Sequence, residues 1–313
     1  MTMSRPLLLI LKLLATLALV AWIAFRIDLS ELLAGIAAIR PRTWFLIASL
    51  HFGVVLLLGV RLALTAGERW PPIILLTLKA QFFQLAPPAQ IGGDVYRVWA
   101  LTRLSQSTHI ASAFTVAADR ILGLLVLVAY ALSAIFLVDR GSESLRIFAH
   151  LNATALVWYG VILIISAAAS AVLVWRYRAQ SRLQSVLHEL ARVLRRLGLP
   201  QVGAAIALSL LMYGLICIIA ALVMFDLAML DVAAAFSVPP VIFLVTMAVP
   251  ISISGVGVRE AAGIFLYGLF GYPPADALVL ASAPFMASLS AALVGFVLVS
   301  FGRGSPSRHK WRS

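Results

Sequence analysis

The sequence contains few of the residues on which soluble enzymes depend. Charged residues make up 12% of its 313 positions, against about 25% in soluble domains. Cysteine occurs once, at Cys217, which excludes a disulfide within the chain and a metal site built from several cysteines. The chain has no His-x-x-x-His pair, no nucleophile motif and no glycine-rich nucleotide loop after a strand. These absences argue against an ordinary soluble enzyme.

Long apolar runs are abundant by contrast. Hydrophobic residues make up 63% of the sequence, and the mean hydropathy is +1.05. A transmembrane helix needs about 20 predominantly apolar residues. The sequence therefore predicts an all-α polytopic membrane protein with about six spanning helices. The predicted spans are residues 7–25, 44–66, 110–138, 155–175, 202–225 and 277–301.

Two further apolar stretches are interrupted in the middle. Residues 73–86 reach roughly 21 Å as a helix, which is too short for a hydrocarbon core of about 30 Å. Residues 232–249 meet a proline in the same way. Each stretch predicts a broken hairpin that enters the membrane and returns to the same side. The predicted turn residues are Pro88, Gly92 and Gly93 in the first hairpin, and Pro250, Gly255 and Gly257 in the second.

The two interruptions share one register, in which Pro88 corresponds to Pro250, Gly93 to Gly255 and Arg97 to Arg259. Helix breakers and charges are costly at membrane depth, so a matched pair indicates a binding site between inverted repeats. We expect one integral membrane domain over residues 1–313. Its predicted parts are repeat one at 44–138, a linking helix at 155–175, a cytoplasmic amphipathic segment at 176–200, repeat two at 202–301 and a basic tail at 302–313.

The placement of arginine predicts the orientation. Residues 176–200 carry six arginines against one acid, Glu189, and the tail at 302–313 carries four basic residues. Both are therefore expected on the cytoplasmic side, together with both termini, although the basic loop at 26–42 argues mildly against this. Apolar residues at helical spacing in 181–197 predict a helix that binds anionic lipid of the inner leaflet. This pattern explains the net charge of +12 without nucleic acid as a partner.

Charged residues near the interruptions are the candidate substrate-binding residues. Arg97 and Arg259 follow the predicted turns, where free backbone N–H groups favour an anion and a guanidinium can donate two parallel hydrogen bonds to it. The alternative is that the arginines pair with neighbouring acids and only fix the hairpins. Arg61, near the end of its predicted helix, is expected to snorkel to the interface. The candidates are Asp94, Arg97, Asp119, Arg120, Arg259 and Glu260.

Three motifs resemble the lysylphosphatidylglycerol synthase transmembrane-region family. They are FFQLAPPAQIGGDVYR at 82–97, ADRILG at 118–123 and PISISGVGVRE at 250–260, and they occur in the expected order. The resemblance covers almost the whole chain, and the six candidate residues match charged motif positions of the family. One departure is the double proline at 87–88, where many relatives have one. The resemblance implies translocation of a polar lipid between leaflets and is compatible with a homodimer, which the sequence itself does not show.

The expected function is therefore that of a lipid flippase in the cytoplasmic membrane of a bacterium or archaeon. Its substrate would be a phospholipid, an aminoacyl-phospholipid or an isoprenoid- or hopanoid-linked lipid with a polar or anionic headgroup. The chain ends twelve residues after Phe301, so we expect no lysyltransferase domain and no synthase activity. Because the metal, nucleophile and nucleotide motifs are missing, we also expect no other enzyme activity, no cofactor and no metal. The alternative is a membrane-embedded transferase or an accessory subunit in lipid or glycolipid synthesis.

Overall fold

The computed structural model describes residues 27–85, 91–138, 198–248 and 255–301, together with positions 17, 21, 23 and 25. Regular structure within these ranges is helical, with no strand, which confirms the all-α membrane class. The described helices are α1 (Leu29–Ala38), α2 (Pro41–Ala66), α3 (Trp70–Leu85), α4 (Ile91–Ser105), α5 (His109–Val138), α6 (Leu199–Asp226), α7 (Val232–Ala248), α8 (Val258–Gly268) and α9 (Pro274–Ser300).

Four of these helices are long and apolar enough to cross a membrane. They are α2, α5, α6 and α9, and they coincide with the predicted spans at 44–66, 110–138, 202–225 and 277–301. The predicted span at 155–175 and the basic tail lie outside the described residues, as do most of the predicted span at 7–25 and most of the segment at 176–200.

Each interrupted stretch folds as two short helices that pack together, α3 with α4 and α7 with α8. These helices have 16, 15, 17 and 11 residues, so each is about 16 to 26 Å long and shorter than a hydrocarbon core of about 30 Å. The predicted broken segments are thus present. The turn residues Pro88 and Pro250 lie outside the described residues.

The glycines of the two hairpins have different roles. Gly255 and Gly257 have φ values of 76° and 88°, which glycine adopts most readily, and they lie in the turn that precedes α8. Gly92 and Gly93 differ from the prediction, because both lie in the first turn of α4. A Cβ at Gly93 would meet the Ala80 carbonyl oxygen at 3.0 Å, so this glycine allows α4 to approach α3 closely.

The contacts between helices have an exchange symmetry. Exchanging α2 with α6, α3 with α7, α4 with α8 and α5 with α9 converts each substantial contact among these eight helices into another one. The contact of α3 with α9 becomes that of α7 with α5, and the central contact of α2 with α6 maps onto itself. The described helices therefore have the pairwise contacts expected of two four-helix repeats, which is the organisation that permits a shared site between them.

Small residues allow the closest of these contacts. A Cβ built on Gly295 in α9 would lie 2.4 Å from the backbone carbonyl oxygen of Leu78 in α3. In membranes such close approach of backbones is a main source of helix association, because lipid removes the hydrophobic driving force between helices. The contact of α9 with α3 joins the last helix of one repeat to the first hairpin of the other.

We predict that Gly295→Ala destabilises the protein, because overpacking of this kind costs about 1–3 kcal/mol and exceeds the gain of about 1 kcal/mol in helix propensity. The matched control is Gly214→Ala in α6, where no atom lies within 4 Å of the added Cβ. Thermal unfolding in detergent should show a lower midpoint for Gly295→Ala and an unchanged or higher midpoint for Gly214→Ala. Equal midpoints for the two variants would show that this contact does not limit stability.

Candidate functional site

Five charged side chains from α2, α4 and α5 lie together in the apolar bundle, three of them buried and two at its accessible edge. We call them the buried charge cluster, and its members are Arg61, Asp94, Arg97, Asp119 and Arg120. Charged groups at membrane depth are costly unless they pair or line a cavity. The cluster contains four of the six residues that the sequence singled out, and one that it interpreted differently.

Arg61 and Asp119 form a bidentate ion pair. Arg61 Nε lies 2.9 Å from Oδ1 and Nη2 lies 2.9 Å from Oδ2 of Asp119, while Nη1 donates to the hydroxyl of Ser209 at 2.8 Å. Both side chains of the pair are buried. The pair thus connects α2 to α5, and the hydroxyl contact adds α6.

The snorkelling interpretation of Arg61 was wrong, because its guanidinium points into the bundle towards Asp119. The missed signal is Gly123, which follows Asp119 by four residues and therefore lies on the same face of α5. A Cβ at Gly123 would be only 2.6 Å from Arg61 Nη1. An aspartate and a glycine one helical turn apart in an apolar run thus leave room for a guanidinium from a neighbouring helix.

Asp94 joins the two other arginines of the cluster through a single oxygen. Its Oδ1 accepts from Arg97 Nη1 at 2.7 Å and from Arg120 at 2.7 Å (Nη2) and 3.2 Å (Nε). The side chains of Asp94 and Arg120 are 30% and 33% exposed, whereas Arg97 is 2% exposed. The pair of Asp94 and Arg120 therefore lies at the accessible edge of the cluster, and Arg97 lies behind it.

The charges of the cluster do not balance. Three guanidinium groups meet two carboxylates, which leaves one positive charge. A buried charge without a counterion is destabilising in a medium of low dielectric constant. The arrangement therefore favours a further anionic group near the first hairpin.

In the second hairpin the charges of Arg259 and Glu260 neutralise each other. Arg259 donates to Oε1 of Glu260 through Nε at 3.0 Å and also through Nη2, and its Cζ lies 4.3 Å from the centre of the Phe285 ring. Oε2 of Glu260 accepts the backbone N–H of Gly257 at 2.7 Å, which caps the start of α8. Here the arginine and the acid pair with each other, as the alternative interpretation of the sequence states. Within the described ranges no ion pair joins them to the buried charge cluster.

A cleft of 510 Å³ runs between α4 and α5 beside the cluster. Asp94 and Arg120 lie at one end of this α4–α5 cleft. Towards its other end, His109 lies 3.3 Å from the Thr102 hydroxyl, and Arg103 stacks on Trp99 at 4.1 Å. Valine and alanine side chains form the wall between the two ends, namely Val95, Val98, Ala113, Val116 and Ala117. The cleft therefore combines an apolar wall with the ion pair of Asp94 and Arg120 at one end.

Comparison with known proteins identified a family model described as "Lysylphosphatidylglycerol synthase TM region", which matches residues 9–295. Neither the search of curated proteins nor the search of solved structures gave a match. In the part of the chain that the structure describes, no group of three His, Cys, Asp or Glu residues is arranged to hold a metal ion.

We predict that Asp119→Ala lowers the free energy of unfolding by about 3–5 kcal/mol, because it leaves the buried Arg61 guanidinium without its counterion. The comparison variant is Arg40→Ala, which removes the 54% exposed partner of Asp226 and should cost less than about 1 kcal/mol. Chemical unfolding in mixed micelles measures both. Adding Arg61→Met to Asp119→Ala should restore much of the lost stability, and a double variant as unstable as Asp119→Ala would contradict the ion-pair explanation.

Proposed function

The chain belongs to the lysylphosphatidylglycerol synthase transmembrane-region family, and from that premise we propose that it moves a polar or anionic lipid headgroup between the leaflets of its membrane. The family is a membrane domain associated with lipid transport and synthesis, and the described helices make the chain a multi-pass membrane protein. Phospholipids, aminoacyl-phospholipids and isoprenoid- or hopanoid-linked lipids are the substrate classes under this proposal.

The observation that carries the proposal is the charged end of the α4–α5 cleft. A lipid presents a hydrocarbon chain and a polar group together, and the cleft offers an apolar wall beside the pair of Asp94 and Arg120. Val95 on this wall is 60% exposed, so the cleft is open at the protein surface. A chain can therefore lie against α4 and α5 while its headgroup reaches the charge cluster.

The energetic difficulty of lipid translocation lies in the headgroup. A charged group that enters hydrocarbon loses its hydration, at a cost of several kcal/mol or more, whereas the acyl chains stay in an apolar medium throughout. Charged side chains within the bundle that pair with the headgroup reduce this desolvation cost. In our proposal Arg97 and Arg120 bind the anionic group, while Asp94 and Asp119 adjust the charge or meet an amine of the headgroup.

The second hairpin contributes differently in this proposal. Glu260 fixes the start of α8, and the Arg259 guanidinium is held by Glu260 and by the Phe285 ring. Direct contact of Arg259 with the anion is the expectation from the sequence alone; it would require that the pair opens, so our proposal assigns the anion to the first hairpin. The cytoplasmic membrane and the cytoplasmic position of both termini remain part of the proposal as well.

We expect Ala113→Trp and Ala117→Trp to reduce transport to near the protein-free rate, because an indole would fill the α4–α5 cleft. The matched control is Ala207→Trp, at an exposed alanine of α6 outside the cleft. Exchange of fluorescent phosphatidylglycerol between the leaflets of reconstituted liposomes measures the effect. Wild-type exchange in both cleft variants would exclude the cleft as the path. No exchange by the wild-type protein of anionic, aminoacylated or isoprenoid-linked lipids would refute the flippase proposal.

A further inference from the structure

Arg97 has two hydrogen-bond donors that no group satisfies. Its side chain is 2% exposed and donates only through Nη1, to Asp94. Nε and Nη2 are buried and have no hydrogen-bond partner. Nearly all buried donors in proteins are paired, and leaving one unpaired is destabilising. The unpaired edge of Arg97 is therefore a feature that a ligand would stabilise.

The same protein shows what this edge of an arginine binds. Arg61 uses Nε and Nη2 to hold both oxygens of the Asp119 carboxylate at 2.9 Å each. These are the two atoms that are unpaired in Arg97. Two parallel N–H donors match two oxygens of a carboxylate or a phosphate. The Arg97 edge thus has the donor geometry of an oxyanion fork.

The charge of the cluster limits what the fork can bind. Asp94 shares one oxygen between Arg97 and Arg120, and Asp119 is engaged by Arg61. One positive charge remains in the cluster, so one negative charge neutralises it. A second negative charge would itself lack a counterion at a site of low dielectric constant, where such a charge is strongly penalised.

The second hairpin offers no equivalent fork. At the position that matches Arg97, both Nε and Nη2 of Arg259 are engaged by Glu260. In sequence the two arginines are equivalent, whereas in the fold only Arg97 has a free edge. Among the described residues, an anion site of this kind is therefore present at the first hairpin and not at the second.

From these observations we infer that the Nε and Nη2 edge of Arg97 binds a singly charged oxyanion of the phosphodiester class, and that only the first hairpin provides this contact. The inference rests on the proposed function, of which it specifies the charge class and the contact atom. Asp94 and Arg120 are about one third exposed and line the α4–α5 cleft, whereas Arg97 lies behind them and does not line it. In this proposal a phosphodiester reaches the buried edge when the side chains of Asp94 and Arg120 move apart, and Nε and Nη2 of Arg97 then donate to it.

The test is a binding titration of the purified full chain in detergent with dihexanoyl phosphatidylglycerol. We expect Arg97→Lys to weaken binding about 10- to 100-fold, because lysine lacks the paired donors and one charged hydrogen bond is worth about that factor. Arg259→Lys is the matched control and should change the affinity less than about twofold, because both donors of its edge already pair with Glu260. Equal losses in the two variants, or no loss in Arg97→Lys, would overturn the inference.

A second variant is expected to bind one ligand more tightly than the wild type does, which a misfolded protein would not do. Asp94→Asn raises the cluster charge by one, so it should shift preference towards dihexanoyl phosphatidic acid, a phosphate monoester that carries more than one negative charge at about pH 8. The wild-type chain should prefer phosphatidylglycerol. Tighter binding of phosphatidic acid by the wild type, or no shift in Asp94→Asn, would contradict the charge argument.

Dimethyl phosphate distinguishes a lipid headgroup from a free oxyanion. If dimethyl phosphate competes as well as the lipid, the phosphodiester group alone supplies the ligand; if only the lipid binds, the chains are required as well, and both results support the fork. Binding is measured here without transport. If the protein binds the anion but exchanges no lipid, the flippase proposal is wrong and the fork is retained. If the protein transports lipid but Arg97→Lys binds as tightly as the wild type, the fork is wrong and the flippase proposal is retained.

Discussion

The bidentate pair of Arg61 and Asp119 is the interaction on which the rest of the first half of the fold depends. It is buried in an apolar bundle, and it joins α2 to α5 while the same guanidinium contacts Ser209 in α6. A bare guanidinium or carboxylate at this depth would be strongly unfavourable, so neither helix can rotate or shift without exposing a charge to hydrocarbon. The pair thereby fixes the α5 face that carries Arg120, and Arg120 in turn holds Asp94 beside Arg97. One fully paired arginine thus supports a second that is only partly paired.

Two hairpins with matching sequence end up with different electrostatics. In the second, Glu260 follows Arg259 directly and satisfies both the arginine edge and the N–H of Gly257. In the first, the acid precedes the arginine by one turn and reaches a single donor, Nη1. The contact pattern of the helices is symmetric under exchange of the two repeats, but the charge is not. Two hairpins with equivalent helix contacts can therefore differ in function. The first has an excess positive charge that can bind an anion, and in the second the pair of Arg259 and Glu260 stabilises the start of α8.

Much of this architecture follows from the sequence, because its causes are local. The lengths of the apolar runs predict α2, α5, α6 and α9, and the prolines and glycines predict the two interruptions. The positions of Gly92 and Gly93 in α4 and the inward direction of Arg61 depend on neighbouring helices: the backbone of α3 beside Gly93, and Asp119 with Gly123 facing Arg61. Likewise, the identical register of Arg97 and Arg259 conceals which of them has a free edge, because that depends on which carboxylate oxygen reaches which nitrogen. The pattern of apolar residues in the sequence is therefore enough to predict the helices. The geometry of the site depends on hydrogen bonds between side chains of different helices, which the sequence pattern does not reveal.

The central claim is that the buried charge cluster of the first hairpin, and not the closed pair of the second, binds the anionic group of a lipid during its passage. Leaflet exchange of phosphatidylglycerol in reconstituted liposomes, compared between Arg97→Ala and Arg259→Ala at equal amounts of folded protein, tests it most directly. The account predicts that exchange is lost in Arg97→Ala and largely kept in Arg259→Ala. Full exchange by Arg97→Ala, or loss in Arg259→Ala alone, would contradict it.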